Sequence, residues 1–290
     1  MDLRAGKNKA KKYYDQVVQD YIRMYEQGYG AYPQNQIRLN FIVDRLKANR
    51  VKTILDVGCG TCVPMVRLLK EGFKSCGFDF SDVMLKEARS QVKAAGYDPA
   101  LVFKGDLENS RSLPSRQFDA AIALGVFPHI INEQKALSNL RKVVKKGGVV
   151  LIEFRNDLFA AFTLNKYSMD FYLNRILNLK AMPSALANEV VDFYKKAFKY
   201  DKPLMKKKGK IHFSEILAKF HNPLSLDQEL FQPCGFKQQK IHFYHYHALP
   251  PVFEPKNQDV FRRLSLQHEK TDDWRGYFMA SAFVLEAKAV

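Results

Sequence analysis

Two glycines and one acid in the first third of the chain have the types and spacing of a nucleoside-binding site. Gly58 and Gly60 follow a short apolar run, and a turn built from them lets a ligand lie against bare backbone. Asp79 comes about 20 residues after that turn, where an acid can bind ribose hydroxyls. A dinucleotide fingerprint needs a third glycine three residues after Gly60, and that position is Val63. The pattern therefore predicts a nucleoside site without a tight pyrophosphate turn.

Strands and helices alternate around these residues, and this rhythm predicts a parallel, doubly wound sheet. Apolar runs bounded by Gly, Ser or Asn indicate where the elements begin and end. The predicted strands are 52–57, 74–79, 100–104, 118–124 and 149–154, and the helices between them are 63–71, 81–95 and 132–145, with Gly147-Gly148 as a turn before the fifth strand.

Outside this stretch the pattern changes. Residues 9–27 and 35–48 have helical spacing, and residues 156–233 show helical periodicity with almost no strand signal. Two strand-like runs then follow, at 237–248 and 277–287. The aromatic stripe of the first helix, Tyr13, Tyr14 and Tyr21, either folds over a ligand as a lid or packs on the sheet.

The composition indicates in which cell compartment the protein works and what kind of partner it binds. In 290 residues no apolar run reaches the roughly 18 residues of a transmembrane helix, and the start has no signal-peptide pattern, so we expect a cytoplasmic protein. The net charge of +16 favours an anionic partner. Eight lysines crowd residues 195–210 and serve either as a solvated surface or in steering an anion. Cys59 and Cys62 form a C-x-x-C pair, but both lie within the glycine turn, which favours packing over redox or metal chemistry.

The heptapeptide Ile-Leu-Asp-Val-Gly-Cys-Gly at residues 54–60 resembles motif I of the class I S-adenosylmethionine-dependent methyltransferases. Further matches follow in the family's order: the ribose acid, Gly105-Asp106, the strand start at Phe118-Asp119, and Gly147-Gly148. The resemblance is strong over roughly residues 50–155, and over 236–289 it concerns the fold alone. Two positions depart from the family pattern. Cys62 replaces a third glycine, and Pro128-His129 replaces a Glu-His pair, so we predict no metal.

The resemblance implies an α/β fold with a doubly wound, seven-stranded Rossmann-like sheet and a helical insertion after strand five. We predict an N-terminal helical lid at 1–48, an S-adenosylmethionine-binding core at 49–155, a helical cap at 156–235, and C-terminal strands at 236–290 that complete the sheet.

S-adenosyl-L-methionine is the cofactor that this resemblance implies. The acid after strand two would bind the ribose, the glycine turn the methionine end, and the Gly-Asp turn after strand three the adenine. Each acid can instead be a plain helix cap. The candidate cofactor-binding residues are Asp56, Gly58, Cys59, Gly60, Asp79, Phe80, Met84, Asp106, Leu107, Leu124 and Tyr14.

Histidines are the candidate catalytic residues. Methyl transfer to a hydroxyl needs a general base, and His221 or His129 is the predicted one. His221 is expected to lie in the cap and face the transferred methyl group. His245 and His247 share one face of a strand, which suits either packing or two metal ligands, and packing is the default. Arg155 leaves strand five at the carboxyl edge, where ligands bind.

Three functions remain open from the sequence. The leading hypothesis is methyl transfer to a hydroxyl or amine of an anionic small molecule, such as a sugar, lipid or quinone precursor. An RNA methyltransferase is the alternative that the charge favours, but the chain has no appended RNA-binding motif. The third is a non-catalytic nucleoside-binding regulator. Peripheral contact with an anionic membrane is a further option, and the sequence does not predict an oligomeric state.

Overall fold

The computed structural model describes residues 3–18, 32–177, 179–198 and 216–290. Its centre is one sheet of seven strands in the order β3-β2-β1-β4-β5-β7-β6. The strands are β1 (Thr53–Val57), β2 (Lys74–Asp79), β3 (Val102–Lys104), β4 (Phe118–Ala123), β5 (Val144–Arg155), β6 (Phe236–Tyr246) and β7 (Ala280–Ala289). The predicted fold class is confirmed.

Helices cover the sheet and its carboxyl edge. They are α1 (Leu3–Gln16), α2 (Gln34–Ala48), α3 (Val63–Lys70), α4 (Asp82–Ala94), α5 (Glu133–Val143), α6 (Ala160–Thr163), α7 (Lys166–Phe171), α8 (Ser184–Ala197), α9 (Gln258–His268) and α10 (Gly276–Met279). α1 begins at Leu3, six residues before the predicted start, and the predicted helix beyond residue 18 lies outside the described residues. Ser81 caps α4 as predicted, since its side chain accepts from the Met84 amide.

The direction of the strands creates a crevice. β1 pairs in parallel with β2 on one side and with β4 on the other, so the chain order reverses at β1. Ligands bind outside the carboxyl ends of the strands at such a switch point. β7 runs antiparallel between β5 and β6, which places the last strand of the chain inside the sheet.

The start of β5 differs from the prediction. Gly147 and Gly148 lie within the strand, whereas the sequence predicted a turn before it. The pairing moves from Phe118↔Val144 to Ala120↔Val149, so the strand bulges outward between these pairs. Gly147 has a φ of 76°, which a glycine adopts without strain. The two glycines therefore form the bulge, and the helix before them ends two residues earlier than predicted.

The described part of the insertion after β5 is helical, as predicted. It contains α6, α7 and α8, with π-helical turns at Tyr172–Ile176 and Asp227–Phe231. A parallel bridge outside the sheet joins Asn156, at the start of the insertion, to His221. Its role as a cap stays a prediction. Of the lysine-rich stretch, Lys195 and Lys196 are described, and the positions from Lys199 to Lys210 lie outside the described residues.

The core lies on both faces of the sheet. On one face Phe154 packs against Phe127, Phe231 and Phe283, with ring centroids 5.3 to 5.9 Å apart. The other face is covered by α2, which buries Ile42 and Leu46. None of the helices in the described ranges is long and apolar enough to cross a membrane.

Candidate active site

A pocket opens at the carboxyl edge of the sheet, where the chain order reverses. It encloses about 1290 Å³ of empty space, open solvent included. Its wall is shared by the turns after the parallel strands, by α1 and α2, and by the end of β5. Its lining includes Lys7, Tyr14, Arg38, Val57, Gly58, Gly60, Asp79, Phe80, Met84, Asp106, Leu107, Leu124, Val126, His129, Glu153 and Arg155.

The glycine turn after β1 forms one side of the pocket. Gly58 and Gly60 have φ values of 61° and 53°, in the left-handed region that side chains other than glycine rarely adopt. A Cβ atom at Gly58 would lie 2.5 Å from Cγ2 of Val126, the residue that follows β4 closely. Position 58 therefore requires glycine for two independent reasons, and both glycines line the pocket.

Asp79 ends β2 and holds this turn in place. Its buried carboxylate accepts hydrogen bonds from the amide of Gly60 at 3.0 Å and from the amide of Ser81 at 2.9 Å. Burial raises the pKa of Asp79, while the bonds from these amides oppose that shift. The carboxylate also lines the pocket, so it is placed to receive ligand hydroxyls.

Two predicted cofactor residues lie just beneath the pocket wall. Asp56 is fully buried within β1, and its Oδ2 has no hydrogen-bond partner among the described residues. Burial, followed by repulsion from Asp79, raises the pKa of Asp56 to about 8. Cys59 and Cys62 are buried free thiols, and the hydrogen bond with Cys62, followed by burial, raises the pKa of Cys59. Neither side chain lines the pocket, so their contact with a cofactor stays a prediction.

Another part of the pocket wall is apolar, with a charged rim. Phe80, Met84, Leu107 and Leu124 line it, and Asp106 lies at its edge. Lys7 of α1 reaches over this rim, since its Nζ lies 3.3 Å from Asp106 Oδ2 and 2.5 Å from Glu108 Oε2. The same Nζ lies 5.9 Å from the centroid of the Phe80 ring. We did not predict Lys7, because a lysine in an amphipathic helix resembles any solvated charge.

His129 and Tyr14 meet on the far side of the pocket. The His129 Nε2 atom lies 2.9 Å from the Tyr14 hydroxyl, and its Nδ1 bonds the backbone carbonyl of Leu217. A carbonyl only accepts, so Nδ1 carries the proton and Nε2 accepts from Tyr14; this tautomer is inferred from the bonding. Burial, with repulsion from Arg155 as a further cause, lowers the pKa of His129 to about 4. The imidazole is therefore neutral at pH 7, with its lone pair toward Tyr14.

The end of β5 adds charged side chains that the sequence analysis largely missed. Glu153 and Arg155 are two residues apart, so they share one face of the strand, and both line the pocket. Glu153 forms an ion pair with buried Arg38 of α2 and also accepts from the Tyr244 hydroxyl. The guanidinium of Arg155 lies 5.9 Å from the Phe220 ring centroid. Arg155 was placed at this edge from the sequence, but Arg38 and Glu153 were not recognised.

His221 does not line the pocket. Its Nε2 lies 2.6 Å from Glu133 Oε1 at the start of α5, and its ring packs 4.7 Å from that of Phe154. Lys219 joins the same carboxylate, with its Nζ 3.1 Å from Glu133 Oε2. These contacts tie the insertion to α5 and place His221 outside the pocket lining, unlike His129. A role of His221 in proton transfer stays a prediction.

His245 and His247 form a buried aromatic pair. Their ring centroids lie 4.7 Å apart, and His245 Nδ1 lies 2.8 Å from the Ser281 hydroxyl. Burial lowers the pKa of His245 to about 3 and that of His247 to about 4, so both rings are neutral at pH 7. The described ranges contain no group of three or more His, Cys, Asp or Glu side chains that could hold a metal ion. The ring contact and the bond to Ser281 suit the packing interpretation for His245, whereas neither ring nitrogen of His247 has a hydrogen-bond partner among the described residues.

Comparison with known proteins adds a family to this geometry. Residues 55–152 match the family model described as a methyltransferase domain. The glycine/sarcosine/dimethylglycine N-methyltransferase of Actinopolyspora halophila is 35% identical over 121 residues, which cover 40% of this chain and 21% of that protein. The ubiquinone biosynthesis O-methyltransferase of Rickettsia bellii is 30% identical over 147 residues, covering 48% of this chain and 58% of its own length. The chain thus spans about a fifth of the first relative and somewhat more than half of the second.

A solved structure extends the similarity to the whole fold. The magnesium protoporphyrin IX methyltransferase of Synechocystis superposes with a TM-score of 0.55 at 15% identity, covering 98% of this chain and all of that one. At this identity the likeness concerns the fold alone. The family match, the strand order and the glycine turn agree with the predicted resemblance and with S-adenosylmethionine as its cofactor. Residues 55–152 are therefore a methyltransferase domain within this chain.

Proposed function

We propose that the protein transfers a methyl group from S-adenosylmethionine to a hydroxyl or amine of a small anionic acceptor. One observation carries the proposal: the glycine turn with Asp79 and the neutral His129–Tyr14 pair line the same pocket. A donor site and a proton acceptor therefore face one space. The donor brings a methyl group activated by its sulfonium, and in-line attack needs mainly alignment of the two reactants.

The residues present fit this donor. Asp79 would hold the ribose hydroxyls, and the methionine end would lie against the bare backbone of Gly58 and Gly60, which line the pocket. Phe80, Met84 and Leu107 offer an apolar slot for the adenine. Their carboxylate, backbone and apolar groups correspond to the three parts of the donor molecule.

The acceptor's proton has a route into the protein. Tyr14 can receive that proton at its oxygen while it passes its own proton to His129 Nε2. The bond from Nδ1 to the Leu217 carbonyl holds the ring in the tautomer that this transfer needs. A base with a pKa of about 4 is weak. Burial is the main cause of this low pKa and the charge of Arg155 a further one, so an acceptor anion paired with Arg155 would raise the pKa in part and strengthen the base.

An anionic small molecule is the acceptor class that the pocket supports best. Arg155 lies at the pocket wall near the pair that removes the proton, and it can bind a carboxylate or phosphate in two-point fashion. The names of the two relatives, an N-methyltransferase of glycine derivatives and an O-methyltransferase of ubiquinone biosynthesis, support a small acceptor and leave the acceptor atom open.

Two measurements test the proposal. Calorimetry should show S-adenosylmethionine binding to the wild type, weakened at least about tenfold in Asp79→Ala, because each charge-assisted hydrogen bond contributes roughly 1.5–3 kcal/mol. Donor consumption should then be screened with pooled carboxylated and phosphorylated small molecules. Unchanged donor affinity in Asp79→Ala would place the ribose elsewhere. Donor binding without turnover on any acceptor would favour a nucleoside-binding regulator.

An RNA methyltransferase is the second candidate, and the net charge of +16 is the observation that favours it. Phosphate contacts with RNA weaken steeply as salt rises. Retention on RNA that survives physiological salt, together with methyl transfer into RNA, would support this candidate over the small-molecule acceptor.

A further inference from the structure

The insertion after β5 contacts the proposed base through residues 216–222, which we call the return segment. The carbonyl of Leu217 accepts a hydrogen bond from Nδ1 of His129. Leu217 and its neighbour Ile216 are themselves buried, so this carbonyl belongs to a packed part of the segment. The orientation of the His129 ring therefore depends on a residue 88 positions further along the chain.

The tautomer of His129 decides whether the ring can act as a base. Nε2 must carry a lone pair to receive the proton from Tyr14, so the ring proton must lie on Nδ1. A histidine side chain in water carries its proton mainly on Nε2. The Leu217 carbonyl can only accept, and it therefore stabilises the tautomer that the transfer needs. Whatever holds this carbonyl in place also holds the base in its active form.

Backbone hydrogen bonds join the return segment to both parts of the acceptor half. The amide of Lys219 donates to the carbonyl of Pro128 at 2.9 Å, one residue before His129. The amide of His221 donates to the carbonyl of Arg155 at 2.8 Å, at the end of β5. The same segment thus supports the residue proposed to take the proton and the residue proposed to bind the acceptor anion.

A buried ionic anchor fixes this segment to the start of α5. The Lys219 Nζ atom lies 3.1 Å from Glu133 Oε2 and 3.0 Å from the carbonyl of Ile131, and His221 Nε2 lies 2.6 Å from Glu133 Oε1. Burial raises the pKa of Glu133, but the bond to His221 and the charge of Lys219 outweigh burial and lower it. The carboxylate is therefore ionised at pH 7 and accepts from both side chains.

We propose that Glu133 and Lys219 are positioning residues for methyl transfer, which hold the return segment so that the Leu217 carbonyl keeps His129 in its proton-accepting tautomer. Neither side chain lines the pocket, so both act through His129. The inference rests on the proposed function, in which His129 receives the acceptor's proton. An anchor that served stability alone would change the melting temperature and leave the tautomer as it is.

Nitrogen NMR of the histidine rings in the full chain tests this inference without turnover. At pH 7 the ¹H–¹⁵N spectrum distinguishes a proton on Nδ1 from one on Nε2, and the signal that is lost in His129→Gln identifies the ring. We expect the Nδ1–H tautomer in the wild type. Glu133→Gln and Lys219→Met should shift the ring wholly or in part to the Nε2–H tautomer. The second variant keeps the carboxylate and the aliphatic stem, so it serves if the first one folds poorly.

The matched control is Glu71→Gln at the end of α3. Glu71 also accepts from two cationic side chains, Lys47 at 2.7 Å and Arg67 at 2.8 Å. Its side chain is 22% exposed, against 17% for Glu133. Because its partners belong to α2 and α3, the control should keep the wild-type tautomer of His129.

Kinetics give the second readout. In Glu133→Gln and Lys219→Met we expect kcat to fall about tenfold or more, since only molecules with the correct tautomer accept the proton, and donor affinity to stay at the wild-type value. The inference is overturned by an Nε2–H tautomer in the wild type, by a wild-type tautomer in both folded anchor variants, or by an equal shift in Glu71→Gln. A wild type with the expected tautomer but no turnover on any acceptor would count against the proposed function and not against the anchor.

Discussion

The two halves of the pocket are built in different ways. The donor half consists of turns after neighbouring parallel strands, and its central bond joins Gly60 to Asp79 across 19 residues. In the acceptor half, Tyr14 meets His129 and Arg38 meets Glu153, each across 115 residues. The turns after the strands therefore form most of the donor side, with Lys7 of α1 added at its rim, whereas the acceptor side depends on α1, α2 and the insertion.

The halves also differ in the groups that they use. The donor half works through backbone geometry and one buried carboxylate, and the acceptor half works through titrating side chains. Substitutions in the donor half should therefore change donor affinity, and those in the acceptor half should change kcat or the acceptor KM. The predictions below test this division, from the largest expected effect to the smallest.

Removing His129 should have the largest effect. In His129→Ala we expect kcat to fall by about 10²–10⁴-fold, because the acceptor's proton loses its base. Tyr14→Phe keeps the ring and removes only the hydroxyl, so its kcat should fall less. Calorimetry should give wild-type donor affinity for both variants. A large loss of donor affinity in His129→Ala would break the division between the halves.

A methyl group at Gly58 should damage the donor half. Gly58→Ala adds strain at a φ of 61° and a contact of 2.5 Å with Val126, so donor binding should weaken about tenfold or more. Gly72→Ala is the matched control: its φ is 90°, but nothing lies within 4 Å of the added atom. The control should lower the melting temperature and leave donor affinity intact. Equal donor affinities in the two variants would mean that the contact between position 58 and Val126 does not matter for donor binding.

Arg155 connects acceptor binding to the base. Arg155→Gln should raise the acceptor KM about tenfold through loss of a charge-assisted contact, with donor affinity unchanged. It should also raise the pKa of His129, because Arg155 lowers that pKa in the wild type. Activity requires the neutral imidazole, so the acid limb of the kcat/KM profile should move to higher pH. An acid limb that does not move would mean that Arg155 has no influence on the pKa of His129.

Asp56 should make the stability of the protein depend on pH. Its folded pKa of about 8 lies above the usual value, so its contribution to stability is fully present below about pH 4 and is lost as pH rises toward 8. Asp56→Asn has no such titration and should be more stable than the wild type at pH 8, by on the order of 1–3 kcal/mol. Melting curves at pH 5 and pH 8 should show a gap that widens with pH. A gap that narrows would mean that Asp56 is ionised and paired.

The donor half was predictable because its signals are local. Residue type and short spacing are enough to recognise Gly58, Gly60 and Asp79, and the direction of the parallel strands brings them together. His129 and His221 were equal candidates in the sequence, since nothing near His221 points to Glu133, 88 residues away. Glu153 did carry a signal that we did not use. An acid inside an apolar strand requires a buried partner, and Arg38 supplies it.

The place of β7 in the sheet has a consequence for synthesis on the ribosome. β1 to β5 can assemble as a parallel sheet as soon as residue 155 has emerged, but β6 pairs with β7 and with no other strand described here. Until residues 280–289 are translated, β5 keeps an open edge and β6 has no place in the sheet. At about 5–20 residues per second this interval lasts several seconds or more. An exposed edge strand can pair with other chains during that time, so we expect nascent chains stalled before β7 to be the aggregation-prone form of this protein.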